Sequence, residues 1–268
     1  MKDQVIVALV DGMRPDGAFA CGHPFFERLT RESFHCLDAQ TITRPVTLPA
    51  HVSLFTGVDQ HHHTVLDNIW HPYPEKYPGI LESVHGAGMK TAMMITWDNL
   101  RFIGEPGSVD RFEYVRGDVP GRTEEAFMAF EQSWTRRALE IIRSEEYDFL
   151  FFYFEMADVV GHWTGWMGDQ YLRALHCAGG CLERIFEALS PRQQLIVLSD
   201  HGGSGTGHSD PNSAADMTIP IWCAGSRFPK GVSARGWSIL DIAPTVSDLL
   251  DIPAQAHYQG TSCLAERK

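Results

Sequence analysis

Phe149-Leu-Phe-Phe-Tyr-Phe154, followed by Glu155-Met-Ala-Asp158-Val-Val-Gly-His162, is the most informative segment of this chain. Six consecutive apolar residues are too few for a core helix. They read as a strand covered on both faces, and such strands belong to parallel sheets flanked by helices. The same signature recurs at Val5–Val10, Thr91–Thr96 and Leu195–Leu198. Ile219–Cys223 is a weaker fifth strand, because Pro220 has no N–H to donate and is expected only at an edge or a strand start. Between these runs, apolar residues at helical spacing predict helices over His23–Ser33, Glu124–Arg143, Tyr171–Leu189 and Ser238–Leu250. Strands alternating with helices predict an α/β fold with a mostly parallel central sheet. Pro72, Pro74 and Pro78 mark a loop at 70–80 rather than a boundary, so residues 1–268 are expected to form a single domain.

Composition narrows the function. Lys and Arg number 22 against 34 Asp and Glu, a net charge of −12, which disfavours gripping a nucleic-acid duplex by its phosphates. No window offers the ~18 apolar residues of a membrane span, and the first residues lack the features of a cleaved leader. The cysteines are sparse: Cys21, Cys36, Cys177, Cys181, Cys223 and Cys263. Cys177 and Cys181, at i,i+4 on an expected helix, suit neither a zinc ribbon nor a disulfide. Reduced thiols and a cytoplasmic location are the expectation. Against this ordinary background stand 13 His and 24 Gly, which ask for metal or acid–base chemistry and for tight loops.

Ligands of such sheets bind beyond the carboxyl ends of the strands. Asp11 follows the first strand, Asp158 and His162 follow FLFFYF, and Asp200-His201-Gly202-Gly203 follows LIVL, with His208 in Gly-Thr-Gly-His-Ser shortly after. On a helix, Asp158 and His162 lie one turn apart and can share one cation. Gly202 and Gly203 permit the tight loop that adjacent ligands Asp200 and His201 would need. Thr47-Leu-Pro-Ala-His51 opens a short helix that ends at Gly57, with Thr47 expected as its N-cap. Backbone N–H groups at such a helix start favour an incoming phosphate beside the Thr47 hydroxyl.

Asp11-Gly12, Thr47-x-Pro49-x-His51, Thr56-Gly57, Asp158-x-x-x-His162 and Asp200-His201-Gly202 with Gly207-His208 together resemble the alkaline phosphatase superfamily. Within it the chain is most similar to the nucleotide pyrophosphatase/phosphodiesterase (type I phosphodiesterase) branch, in a compact bacterial-type form, and to its phosphonoacetate hydrolase relatives. His63-Thr-Val-Leu-Asp-Asn68 resembles that branch's His-Gly-Ile-x-x-Asn segment, and Leu240–Leu250 is typical of the superfamily. The resemblance implies a three-layer α/β/α sandwich and two divalent cations. Asp11, Asp200 and His201 would hold one, with Thr47 at its open position. Asp158, His162 and His208 would hold the other. Carboxylates with imidazoles suit Zn²⁺, with Mn²⁺ second. Two divalent cations against three carboxylates leave the site slightly positive, so an acidic protein can accept an anionic phosphate there.

The implied reaction uses Thr47 as nucleophile through a phosphothreonine intermediate, with Asn68 and the Leu48 amide holding phosphoryl oxygens. Arg44 is a candidate phosphate contact. Trp70 and Trp97, with Trp163 and Trp166, are candidates for the leaving-group pocket. His61 and His62 read as loop residues, with His63 at the family position. The expected substrate is a small anionic phosphate ester, possibly a nucleotide.

Two features depart from the branch pattern: Ala50 stands where Asn is usual, and His208 follows His201 by only seven positions. A sulfatase would need Cys or Ser in place of Thr47. A cofactor-independent phosphoglycerate mutase would need an inserted domain, and a lipid-headgroup transferase would need membrane helices. A phosphomonoesterase, a phosphonatase and a non-catalytic metal-binding or ligand-sensing module are the alternatives.

Overall fold

The computed structural model describes residues 2–69, 77–116 and 123–265. The chain runs β1 (Gln4–Val10), α1 (Pro15–Ala20), α2 (Pro24–Glu32), β2 (Phe34–Gln40), α3 (Thr47–Thr56), α4 (Gln60–His63), α5 (Ile80–Gly86) and β3 (Thr91–Ile95). A 3₁₀ turn over Asp98–Phe102 leads to β4 (Arg111–Tyr114), α6 (Glu124–Ser144), β5 (Phe149–Phe154), α7 (Met156–Thr164), α8 (Asp169–Glu187) and β6 (Gln193–Leu198). The chain ends with α9 (Ala214–Met217), β7 (Thr218–Ala224), β8 (Val232–Ser233) and α10 (Ile242–Leu249).

All eight strands join one sheet in the order β4-β3-β5-β1-β6-β7-β2-β8, and only β7 runs against the others. Its three central strands, β5, β1 and β6, each carry an unbroken apolar run because both faces are covered. Val5, Val7 and Leu9 of β1 and Phe149, Phe151 and Tyr153 of β5 pack under α3, α5 and α10. Ile6, Ala8 and Val10 with Leu150, Phe152 and Phe154 pack under α1, α2, α6 and α8. This is the expected three-layer α/β/α sandwich. Alternate residues of one strand feed two separate cores, so period-2 contrast disappears from the sequence.

The expectation for Pro220 is corrected. β7 lies inside the sheet, between β6 and β2. Proline is tolerated because β6 pairing stops at Leu198 opposite Ile221, and the register with β2 shifts between Cys36 and Ala39, beside Pro220. The missing N–H thus falls at a bulge, where no ladder bond is lost. Ser238–Leu250 is not one helix but a 3₁₀ turn, Ile239–Asp241, followed by α10. β2, β4 and β8 were not anticipated, since they are short or carry His, Asp, Gln, Arg and Glu among their apolar residues.

α6 holds α7 through a buried acid. Glu131 Oε1 accepts from Met156 N–H, the first residue of α7 (3.0 Å), while Oε2 has no hydrogen-bond partner among the described residues. Burial, with Cys181 and Glu155 nearby, pushes the Glu131 carboxyl well above its usual range. A raised folded-state value means the unfolded chain releases this proton first. The ionisable side chain therefore costs stability increasingly as pH climbs above the unfolded value of about 4.5. Glu131→Gln keeps an oxygen for Met156 and should raise the urea midpoint more at pH 8 than at pH 5. A pH-independent change would refute the buried-acid account.

Candidate active site

Sheet order gathers the ligands. β1 lies between β5 and β6, so the residues leaving the carboxyl ends of all three meet at one edge. Asp11 follows β1, Asp158 sits in the first turn of α7 after β5, and Asp200 with His201 follows β6. α3 points its first turn at the same edge and brings Thr47.

The inner group is Asp11, Asp200 and His201, all fully buried. His201 Nε2 lies 3.3 Å from Asp11 Oδ1 and 3.3 Å from Asp200 Oδ2. Thr47 Oγ1 is 3.2 Å from the same Nε2. The outer group is Asp158, His162 and His208, with Asp158 Oδ1 3.5 Å from His162 Nε2 and 3.6 Å from His208 Nε2. The side chain of His162 is 41% exposed, which opens the outer group to solvent, whereas His208 is covered and stacks on His201 at 3.6 Å between ring centres.

The tautomers are set by the backbone. His201 Nδ1 donates to Gly202 O (2.8 Å), His162 Nδ1 to Thr206 O (3.0 Å) and His208 Nδ1 to Pro45 O (2.5 Å). Each proton is therefore on Nδ1, and each Nε2 turns a lone pair toward the carboxylates; metal-ligating imidazoles are oriented in this way. Burial keeps His201 and His208 neutral, both pushed down to about 3.

The carboxylates are the complementary half. Asp11 Oδ1, Asp158 Oδ1 and Asp200 Oδ2 are buried with no hydrogen-bond partner among the described residues. These are the oxygens that face the Nε2 atoms. Burial first, then mutual repulsion, pushes Asp11 and Asp158 well above the usual carboxylate range, and burial also raises Asp200. Three buried carboxyl oxygens facing three Nε2 lone pairs, with no Lys or Arg side chain among them, form a donor set that fits divalent cations.

Neighbouring residues hold the ligands. Gly12, at φ +68°, donates its N–H to Asp200 Oδ1 (3.2 Å), and a Cβ there would meet Asp158 Cα at 3.0 Å. Gly12 O accepts from Trp166 Nε1 and Tyr171 OH at 2.9 and 2.8 Å. Tyr153 OH donates to Asp11 Oδ2, leaving Oδ1 for the site. Gly203 lies flat on Trp166, where a Cβ would come within 2.2 Å of the indole. His51, fully buried below Thr47, donates Nδ1–H to Thr47 O (2.8 Å) and packs edge-on against Phe151 and Tyr153.

The sequence reading missed the support roles of Tyr153, Tyr171 and Trp166. Tyr153 carries a signal, as the one hydroxyl at the site end of an otherwise hydrocarbon strand. The others do not, because their partners are distant in the chain.

Several expectations change in detail. Thr47 is the first helical residue of α3, and the cap is Val46; Gly57 ends the helix in the left-handed region as expected. Being inside the helix aims the Thr47 side chain at His201 rather than back at its own amides. The Leu48 N–H donates to Asn68 Oδ1 (2.9 Å), so the two expected phosphate donors pair with each other and Asn68 Nδ2 is turned outward. Asn99 Nδ2 holds the Asn68 carbonyl (2.7 Å).

Arg44 has an exposed side chain and enters no ion pair among the described residues. Trp97 packs against the α3 side of the sheet. Trp163 packs on Phe127, and Trp166 packs edge-on against His162 and His208. Trp70 lies outside the described residues. His63 is buried against Ser53 Oγ (2.9 Å), and His62 pairs with Asp59. Among the described residues the six cysteines are free, and no helix is long and apolar enough to cross a membrane.

Comparison with known proteins places this geometry. The chain is similar to the 2,3-bisphosphoglycerate-independent phosphoglycerate mutase of Moorella thermoacetica, at 30% identity over 129 residues, 46% of this chain and 25% of that protein. It spans about a quarter of the length of the curated relatives it matches. Its fold is similar to murine ectonucleotide pyrophosphatase/phosphodiesterase 5, solved as an inactive threonine-to-alanine variant in complex with AMP (TM-score 0.78, 14% identity, 97% of this chain and 98% of that one). It is also similar in fold to a phosphonate monoester hydrolase from Silicibacter pomeroyi (TM-score 0.73, 13% identity, 98% and 76%). The sequence profile of type I phosphodiesterases and nucleotide pyrophosphatases matches residues 5–217. That span includes Thr47, the three aspartates and the three histidines, and on it this chain belongs to the type I phosphodiesterase / nucleotide pyrophosphatase family.

Proposed function

We propose that this protein is a metal-dependent phosphodiesterase acting on a small anionic phosphate diester or pyrophosphate, with Thr47 as nucleophile and two divalent cations, Zn²⁺ before Mn²⁺, as cofactors. The supporting observation is the pairing of three unpartnered buried carboxylate oxygens with three Nε2 lone pairs, with the Thr47 hydroxyl 3.2 Å from one of them. When bound, the cations supply positive charge that offsets the carboxylates and phosphate and lowers the hydroxyl pKa.

The residues of the chain do the rest. Thr47 Oγ1 forms a bond to phosphorus as the ester or anhydride oxygen opposite it departs with the hydroxyl proton, giving a phosphothreonine whose phosphoryl group still carries the substrate's other substituent. A water then displaces Thr47 in line, so configuration at phosphorus is retained. Asn68 Nδ2, fixed by Leu48 N–H, donates to an equatorial oxygen as charge builds there. The start of α3 adds the favourable end of its dipole. Family membership and the Asn68 donor favour diesters, and the AMP-bound structural neighbour favours a nucleotide-like substrate.

The test is a side-by-side assay with Zn²⁺ or Mn²⁺ on a p-nitrophenyl phosphodiester, the matching monoester, a phosphonate ester and a sulfate ester. The diester should give the highest kcat/KM. A monoester preferred by several orders of magnitude would overturn the diesterase assignment.

A further inference from the structure

His208 arrives on a loop with little conformational preference of its own: Gly202-Gly-Ser-Gly-Thr-Gly-His-Ser209 carries four glycines. Its ring is tied once, Nδ1 to Pro45 O, and the loop before it is held by mutual Ser204–Gly207 backbone bonds (2.9 and 3.1 Å) and by Trp166 N–H and His162 Nδ1–H donating to Gly205 O and Thr206 O; none of these bonds engages Ser209, the residue after His208. Asp216, buried on α9, supplies what is missing. Its Oδ1 accepts from Ser204 Oγ (2.8 Å) and Ser213 Oγ (3.0 Å), near the two ends of the loop. Its Oδ2 accepts from the N–H groups of Ser209 and Asp210, both at 3.1 Å, the two residues directly after His208. Ser209 stands at φ +151°, a conformation that costs a non-glycine residue on the order of 1 kcal/mol or more and persists only where surrounding bonds enforce it.

The inner group does not depend on this carboxylate. Gly202 and Gly203 donate to the backbone carbonyls of Asp216 and Ala215, and His201 O accepts from Ser199 Oγ.

We propose that Asp216 is a positioning residue for the outer cation group: its carboxylate holds the 204–213 loop so that His208 Nε2 faces Asp158, and it thereby sets the cation affinity of Asp158–His162–His208 without setting that of Asp11–Asp200–His201. This rests on the two-cation reading above.

The test is a Zn²⁺ titration of metal-stripped protein in competition with a chromogenic chelator, which reads binding steps without turnover. The proteins compared are wild type, His208→Ala, Asp216→Ala and Asp216→Asn. His208→Ala should weaken one of two steps. Asp216→Ala should weaken that same step about 10- to 100-fold, the range for outer-shell partners, and leave the other within about twofold. Asp216→Asn should recover most of the loss. Its oxygen still accepts from two amides, and its NH₂ can donate to the two serine hydroxyls. If Asp216→Ala does not fold, Ser204→Ala with Ser213→Ala should weaken the same step more mildly.

Equal weakening of both steps, or of neither, by Asp216→Ala while His208→Ala weakens one would overturn the positioning role alone. If His208→Ala changes neither step, the two-cation reading falls and the proposal falls with it.

Discussion

Thr47→Ala should reduce turnover by about 10³-fold or more, the scale on which loss of a nucleophile acts, while the fold and the bound cations remain. The substitution is structurally mild. Thr47 is the first residue of α3, alanine is a better helix former, and among the described residues the hydroxyl has one side-chain hydrogen-bond partner, His201 Nε2. His201 keeps its orientation through Gly202 O, and the three aspartates are untouched. The measurements are kcat on the best diester, Zn²⁺ per chain and the thermal midpoint. Thr47→Ser should recover part of the activity because it restores a hydroxyl at the same position. Near-normal turnover by the alanine variant, with its metals in place, would eliminate the phosphothreonine route.

Asp200→Asn should have a comparably large effect on activity and an opposite one on the metal-free fold. Asp200 is buried, and only its Oδ1 is satisfied, by Gly12 N–H. Burial raises its folded-state pKa above the unfolded 3.8. The sign follows from linkage: the unfolded chain gives up this proton at lower pH, so the carboxylate contributes a penalty that begins above about pH 4 and grows until the folded group ionises. Asparagine removes the penalty and retains an oxygen for Gly12.

Metal-free Asp200→Asn should therefore outlast metal-free wild type in urea at pH 8 and match it near pH 4. Zn²⁺ should stabilise wild type strongly and the variant weakly, and turnover should fall by about 10³-fold or more. A metal-free variant less stable than metal-free wild type at pH 8 would show that the carboxylate is not held against repulsion. Sites that trade fold stability for function in this way are common among enzymes.

Much of this was legible along the chain, and the reasons are specific. FLFFYF and Val5–Val10 are strands because a six-residue apolar run can be satisfied on both faces only inside a sheet, and the structure buries every one of these residues. Asp158 and His162 read as partners because one helical turn separates them, which needs no tertiary information. Pro220 misled because its tolerance depends on a bulge in β2, 180 residues earlier. Residue preference alone makes Thr47 a cap, whereas the helix begins one residue sooner. The distance of Trp166 from His162 is visible in sequence, but which side of the imidazole it covers is not.

By itself, the sequence determined the residue types and their places at strand ends: an aspartate shortly beyond each of β1, β5 and β6, histidines following the latter two, and a threonine opening a short helix. Local chemistry suffices for that, since hydrophobic runs, helical spacing and glycine punctuation are properties of neighbouring residues. Only the tertiary structure decided that β1 lies between β5 and β6, which brings residues about 190 positions apart within 3.3 Å. It also decided that each imidazole donates Nδ1 to a backbone carbonyl and that Leu48 and Asn68 pair with each other. Which oxygen is left without a hydrogen-bond partner, and so available to a cation, depends on where every other donor in the fold has gone.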